Sequence, residues 1–169
     1  KHSFEVLIDS VKSDLYRVAQ AKLRNIDDVN DAIQEAITKA YSKLHTLKEP
    51  KFFRTWIIKI LINECNIIYR KKYKQSKLFN KLSISKIIDN NSNPFSIAED
   101  KIDFEILLNY LNEKERLILA LYYNSKYTPD EISQILGIKS NTIKSILYRA
   151  KEKLKKYLEK EELDYEARK

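Results

Sequence analysis

Ser140, Asn141, Thr142, Lys144, Ser145, Tyr148 and Arg149 crowd into one short stretch and share one kind of chemistry. Each donates or accepts hydrogen bonds, and two carry a fixed positive charge. Lys144 or Arg149 could donate to O6 and N7 of guanine. The short polar side chains before them let a helix enter the major groove of DNA. Positions 139–160 hold eight Lys or Arg against two Glu. A plain basic hairpin would carry the same charge, so the turn chemistry ahead of this stretch decides between the two.

Two further constellations stand out. Asp31, Gln34 and Glu35 follow Asp27 and Asp28, an acidic patch in a chain of net charge +8 and pI ≈ 9.3. Asp27 and Asp28 suit a helix start, where the dipole favours carboxylates. Gln34 and Glu35 lie too far along for that explanation. Arg54, Thr55, Lys59, Asn63, Asn66 and Arg70 share the polar side of a later helix. Between Cys65 and Ile88 there are several Lys and Arg and no acid. Basic residues interleaved with Tyr69 and Tyr73 suit a nucleic-acid backbone with stacking surfaces. Phe52, Phe53 and Trp56 read as core.

Catalytic chemistry is poorly supplied. His2 and His45 lie far apart, and with a single cysteine, Cys65, they give no zinc spacing. There is no nucleophile elbow and no phosphate-binding glycine loop. The expectation is a protein that is not an enzyme and uses no cofactor and no metal. One cysteine allows no internal disulfide, which suits a reducing compartment. No run approaches ~18 uncharged apolar residues, and "KHSFEVL" does not read as a signal peptide. The expected location is cytoplasmic, with no membrane insertion by this chain.

The elements that must position these residues are helices. One glycine and three prolines in 169 residues leave little for the turns of a sheet. Apolar residues three or four apart predict a helix over 4–23 (Phe4, Leu7, Ile8, Val11, Leu15, Val18, Ala19). A second, over about 28–44, turns Val29, Ala32, Ile33, Ala36, Ile37, Ala40, Tyr41 and Leu44 inward. A third, over about 51–73, turns in Phe52, Phe53, Trp56, Ile57, Ile60, Leu61 and Ile67. The stretch around "DNNSNP" favours turns. Residues 75–97 therefore read as a flexible linker, with a short helix near 84–88. Helices follow at about 98–111, 113–124, 129–136 and 140–160. The fold class is all-α, with two small helical domains at 1–74 and 98–169.

Gly137 is the only glycine, and its place is informative. Thr128-Pro129-Asp130-Glu131 carries a capping box with proline at the first helical position. Ile132, Ile135 and Leu136 face inward, and the helix stops at Gly137, where a left-handed turn favours a residue without Cβ. Ile138 plugs the core. The next helix opens at Lys139 or Ser140, with Ile143, Ile146, Leu147, Ala150, Leu154 and Leu158 inward. Two short helices joined in this way make a helix-turn-helix.

The segment "LNEKERLILALYYNSKYTPDEISQILGIKSNTIKSILYRAKEKLKKYL" resembles the fourth region of bacterial sigma factors. "LYRVAQAKLRNIDDVNDAIQEAITKAYSKLHTLKEPKFFRTWIIKILINECNIIYRKK" resembles their second region. The pairing without a third-region domain resembles the extracytoplasmic-function (ECF) sigma factors of the sigma-70 superfamily. The resemblance implies binding to core RNA polymerase and promoter DNA, and often an anti-sigma partner. It implies that Asp31, Gln34 and Glu35 meet the coiled-coil clamp of the largest polymerase subunit. It implies that the second region holds the single-stranded −10 element, through Lys43, Thr46 and Leu47 with Asn63 opposite, beside Arg54, Lys59 and Arg70. Many relatives carry an aromatic where Leu47 stands. The fourth region is implied to read the −35 duplex, and Ile146 stands where an arginine is frequent. The rival reading is a free-standing helix-turn-helix regulator bound to operator DNA, which has no need of the acidic face.

Overall fold

The computed structural model describes residues 2–82 and 110–166, and among these every regular element is helical. The chain divides into two compact units, the first ending at Pro94 and the second beginning at Phe95.

The first unit is three helices: α1 (His2–Lys22), α2 (Ile26–Lys43) and α3 (Phe53–Leu82). The short link before α2 ends at Asn25, whose side-chain oxygen accepts from the N–H groups of Asp27 (2.8 Å) and Asp28 (3.2 Å). That satisfies two donors that the first turn would otherwise leave without partners. The buried face of α2 is Val29, Ala32, Ala36 and Ala40. Side chains this small bring the α2 backbone close to α1, which contributes Val11, Leu15, Val18 and Ala19, and to α3, which contributes Ile57, Ile58, Leu61, Ile62 and Cys65. Ion pairs cross between helices, among them Arg54 to Asp14 at 2.7 Å, Lys39 to Glu64 at 2.6 Å, and Lys72 to Asp28 at 2.6 Å.

The second unit begins, within the described residues, with α4 (Glu113–Leu119), which continues as one π-helical turn, Ala120–Asn124. Asn112 and Glu115 close a full capping box on α4. The π turn ends with Ser125 N–H on the Ala120 carbonyl (3.1 Å) and Tyr127 N–H on the Leu121 carbonyl (3.0 Å). Between them Lys126 takes a left-handed φ of 57°. Thr128 and Glu131 then form the expected capping box on α5 (Pro129–Leu136). Gly137 sits at φ 67°, ψ 31°, its N–H on the Ser133 carbonyl. A Cβ added there would meet nothing within 4 Å, so the demand for glycine is conformational and not steric. The last helix, α6 (Ser140–Glu166), follows, and Ile132, Ile143, Ile146, Leu147 and Ala150 close the core between α5 and α6.

The structure departs from the expected boundaries in places. α3 runs on to Leu82, through residues expected to begin the linker; Lys, Gln, Leu and Phe there include no glycine or proline to stop it. The helices expected near 84–88 and over 98–111 lie, wholly or almost so, outside the described residues. Several residues expected inside are not. Phe52 is 49% exposed and Trp56 only half-buried, so of that aromatic trio Phe53 alone is core. Tyr41 leans its edge on Phe4 (centroids 5.2 Å apart) and leaves the rest of the ring exposed. Leu7 and Ile67 are exposed as well. Leu158 is exposed, while its neighbour Tyr157 is half-buried against the ring of Tyr110 at 4.1 Å.

Candidate nucleic-acid interface and partner groove

In the second unit α6 presents its first three turns. Asn141, Thr142, Lys144, Ser145, Tyr148 and Arg149 are all exposed. Ser140 is not part of that set: it is half-buried and its hydroxyl is enclosed, as the first residue of a helix pressed against the Gly137 turn. The exposed residues fall in two stripes at helical spacing. One runs Asn141, Ser145, Arg149. Along it the Ser145 hydroxyl donates to the Asn141 carbonyl (2.9 Å) and Arg149 Nε to the Ser145 carbonyl (3.3 Å). The other runs Lys144, Tyr148, Lys151, and Lys151 Nζ lies 5.9 Å from the ring centre of Tyr123. Tyr122 and Tyr123, stacked edge to face at 4.9 Å on the π turn, thus border the second stripe, which the sequence did not signal. Ile146, where relatives frequently carry arginine, is buried here.

Glu115 fixes this surface from beneath. One carboxylate oxygen accepts from the Asn112 N–H (3.0 Å) and the other from Lys153 Nζ (2.6 Å). Burial alone would push its carboxyl up. The bonds from Lys153 and the Asn112 N–H, with the charges of Lys153 and Arg149, more than offset that and hold it below its ordinary value.

In the first unit Asp31, Gln34 and Glu35 are exposed on α2 and lie together in one groove of about 510 Å³. Thr38, Lys39, Glu64, Ile67, Ile68 and Lys71 complete its lining, so α3 supplies the second wall. Lys39 bridges the walls, binding Glu64 at 2.6 Å and Glu35 at 3.3 Å. The hydrogen bond to Glu64 comes first among the effects that raise the Lys39 pKa, and it outweighs the desolvation that opposes it. Glu64 and Lys71 were not marked by the sequence, and Ile67 was expected in the core, because their nearness to α2 in the groove is a tertiary fact.

The other expected residues of this unit divide. Lys43 and Thr46 are exposed in the turn after α2, where Thr46 Oγ1 donates to the Lys43 carbonyl (2.7 Å). Leu47 is half-buried, its N–H on the Leu44 carbonyl. Lys59, Asn63 and Arg70 are exposed along α3. Arg54 is committed elsewhere: Nη2 and Nε both meet buried Asp14, at 2.7 and 2.8 Å. A buried carboxylate needs that counter-charge, so Arg54 has a structural duty that its place on the polar side did not reveal.

Comparison with known proteins bears on both surfaces. The family described as sigma-70 region 2 matches residues 7–75, and the one described as sigma-70 region 4 matches residues 103–154. The RNA polymerase sigma factor SigV of Bacillus subtilis is 30% identical over 152 residues, covering 90% of this chain and 89% of SigV. The chain belongs to the ECF sigma factors of the sigma-70 family. The ECF RNA polymerase sigma factor SigW of the same organism is 24% identical over 92% of the chain. Among solved structures, the sigma factor RpoE from Bartonella quintana, crystallised with the anti-sigma factor NepR, matches in fold with a TM-score of 0.77. That match is 24% identical and covers 94% of this chain and 98% of RpoE. As a sigma factor the chain directs promoter-specific initiation of transcription, and a free-standing operator-binding regulator is not favoured. Among the described residues no helix is long and apolar enough to cross a membrane.

Proposed function

We propose that the two units divide the work of a sigma factor by residue. Residues 1–74 dock on core RNA polymerase through the groove at Asp31, Gln34 and Glu35, and hold the −10 strand along Lys43, Thr46, Leu47, Lys59, Asn63 and Arg70. Residues 98–169 read the −35 duplex with the two exposed stripes of α6. The chain acts in the cytoplasm, where polymerase works, and contributes binding and no catalysis of its own. An anti-sigma factor is its regulatory partner; the partner in the RpoE structure supports this.

The observation that carries the reading is the grouping of Asp31, Gln34 and Glu35 in one groove, on a basic protein whose other marked surface suits DNA. Transcription in vitro with purified core polymerase and a promoter library tests the whole. Asp31→Ala with Glu35→Ala is expected to reduce core-enzyme capture in a pull-down and leave thermal melting within about 0.5 kcal/mol of wild type, since both residues are exposed. Capture at wild-type strength overturns the groove assignment.

Lys144 and Arg149 point in different directions, on different stripes. Lys144, nearer the start of α6, is assigned to base edges and Arg149 to phosphate. Lys144→Ala should therefore flatten preference among −35 variants, worth about 1–3 kcal/mol of discrimination. Arg149→Ala should weaken all sequences alike and lower the salt slope by about one. Binding titrations over a −35 panel at several salt concentrations check both.

A further inference from the structure

Lys39 stands between two carboxylates that belong to different helices. Its Nζ lies 2.6 Å from Oε2 of Glu64 on α3 and 3.3 Å from Oε1 of Glu35 on α2. The two partners differ in kind. The Glu64 side chain is 8% exposed and that of Glu35 55%. A buried carboxylate without a counter-charge is costly, so Glu64 claims the ammonium strongly. An exposed pair at i and i+4 is worth much less. The pKa of Lys39 follows the same order, raised most by the bond to Glu64 and less by the bond to Glu35. Glu64 thus draws Lys39 toward α3, and Glu35 keeps the longer contact. Asp31 lies beside Glu35 in the groove, and Lys71 adds a cation from α3.

We propose that Glu64 is a positioning residue for polymerase binding, and that Lys39 is the internal competitor it holds back. A cation that polymerase brings to Asp31 and Glu35 meets a lysine already leaning on Glu35. Docking breaks that 3.3 Å contact and leaves the 2.6 Å one in place. Lys39 gives up its weaker partner without stranding a buried carboxylate. Without the Glu64 charge the same lysine settles on Glu35, one turn before it on α2, and takes the place of the partner's cation. Being buried, Glu64 acts on the partner only through Lys39. The groove therefore selects a cation that pairs with Glu35 better than an i+4 lysine does. A guanidinium, which binds both oxygens of a carboxylate at once, meets that condition. The inference rests on the reading of the groove as the polymerase dock.

The test sets full-length variants against labelled wild type in competition for limiting core polymerase, which resolves small differences in affinity. Glu64→Gln keeps the shape and removes the charge, and should weaken capture about twofold. Lys39→Gln with Glu64→Gln keeps the wild-type net charge, removes the competitor and leaves no buried charge unpaired. It should bind about twofold more tightly than wild type, by an amount that shrinks as salt rises. Lys39→Met with Glu64→Leu should do the same through apolar side chains, a replacement of a buried ion pair that folded proteins tolerate. Loss of negative charge alone would also weaken Glu64→Gln, but would leave both double variants at the wild-type value. If Asp31→Ala with Glu35→Ala loses capture while both double variants match wild type or bind less tightly, the positioning role is overturned and the groove reading stands. If Asp31→Ala with Glu35→Ala is captured as wild type is, the groove reading falls and the positioning role with it.

Discussion

The two units are held together by different means. In the first, helices are tied across long sequence distances: Arg54 reaches back 40 residues to Asp14, and Lys39 forward 25 residues to Glu64. Its α2 relies on Ala32, Ala36 and Ala40, whose only contribution is to let backbones approach. In the second, the stops and starts are local. Asn112 with Glu115, Thr128 with Glu131, and Gly137 alone each fix one helix end within a few residues. The Lys153–Glu115 bridge spans a comparable distance, 38 residues, and the Tyr110–Tyr157 ring contact also joins distant parts of the chain. A domain that must present one helix to a duplex gains from rigid local punctuation. A domain with a groove walled by two helices gains from ties that run between those helices.

The comparison breaks if the alanine face of α2 is not as tightly fitted as the structure shows. Ala36→Leu, at a fully buried position, should destabilise the first unit by about 1–3 kcal/mol through overpacking. Trp56 is the only tryptophan and lies in that unit, so its fluorescence during denaturant unfolding reports the change. A midpoint at the wild-type value would mean that α2 has room to spare. The local punctuation of the second unit is tested at Gly137. Gly137→Val should cost about 1–2 kcal/mol there, because a β-branched residue resists φ of 67°. Gly137→Asn should cost less, since asparagine tolerates that region. Amide exchange across α5 and the start of α6 reads both, and equal protection in the two variants would refute the conformational account.

The smallest effect sharpens the long-range ion pair of the second unit, between Lys153 and Glu115. The carboxyl of Glu115 is lowered in the folded state. Its contribution to stability is therefore present above its unfolded pKa and lost as pH falls through the folded one. Glu115→Gln should flatten the acid side of the stability profile, below about pH 5, and leave the slope near neutrality unchanged. An unchanged acid limb would show that Lys153 and Asn112 do not act through the charged form.

The same contrast explains what the sequence made legible. The capping box at Thr128, the stop at Gly137 and six of the seven exposed residues expected of α6 are local signals, read from neighbours along the chain. Ser140 is half-buried, and its enclosure depends on how α6 meets the turn, which its neighbours along the chain do not signal. In the first unit, periodicity placed α1, α2 and the start of α3. It could not say that Arg54 answers a buried Asp14, or that Glu64 and Lys71 share a groove with Asp31. Nor could an apolar pattern tell the inward ring of Phe53 from the outward ring of Phe52, since adjacent aromatics at a helix start differ only in direction.

The length of α3 bears on promoter architecture. Residues 75–82, expected to be loose chain, are helical. A helical residue advances the chain by about 1.5 Å, less than half of the 3.3–3.6 Å or so that an extended one can cover. A connection that starts with two turns of helix has less reach than its residue count suggests, and its direction of departure is set by the helix axis. On the proposed division of labour, a shorter reach narrows the range of separations between the two promoter elements that a single molecule can bridge.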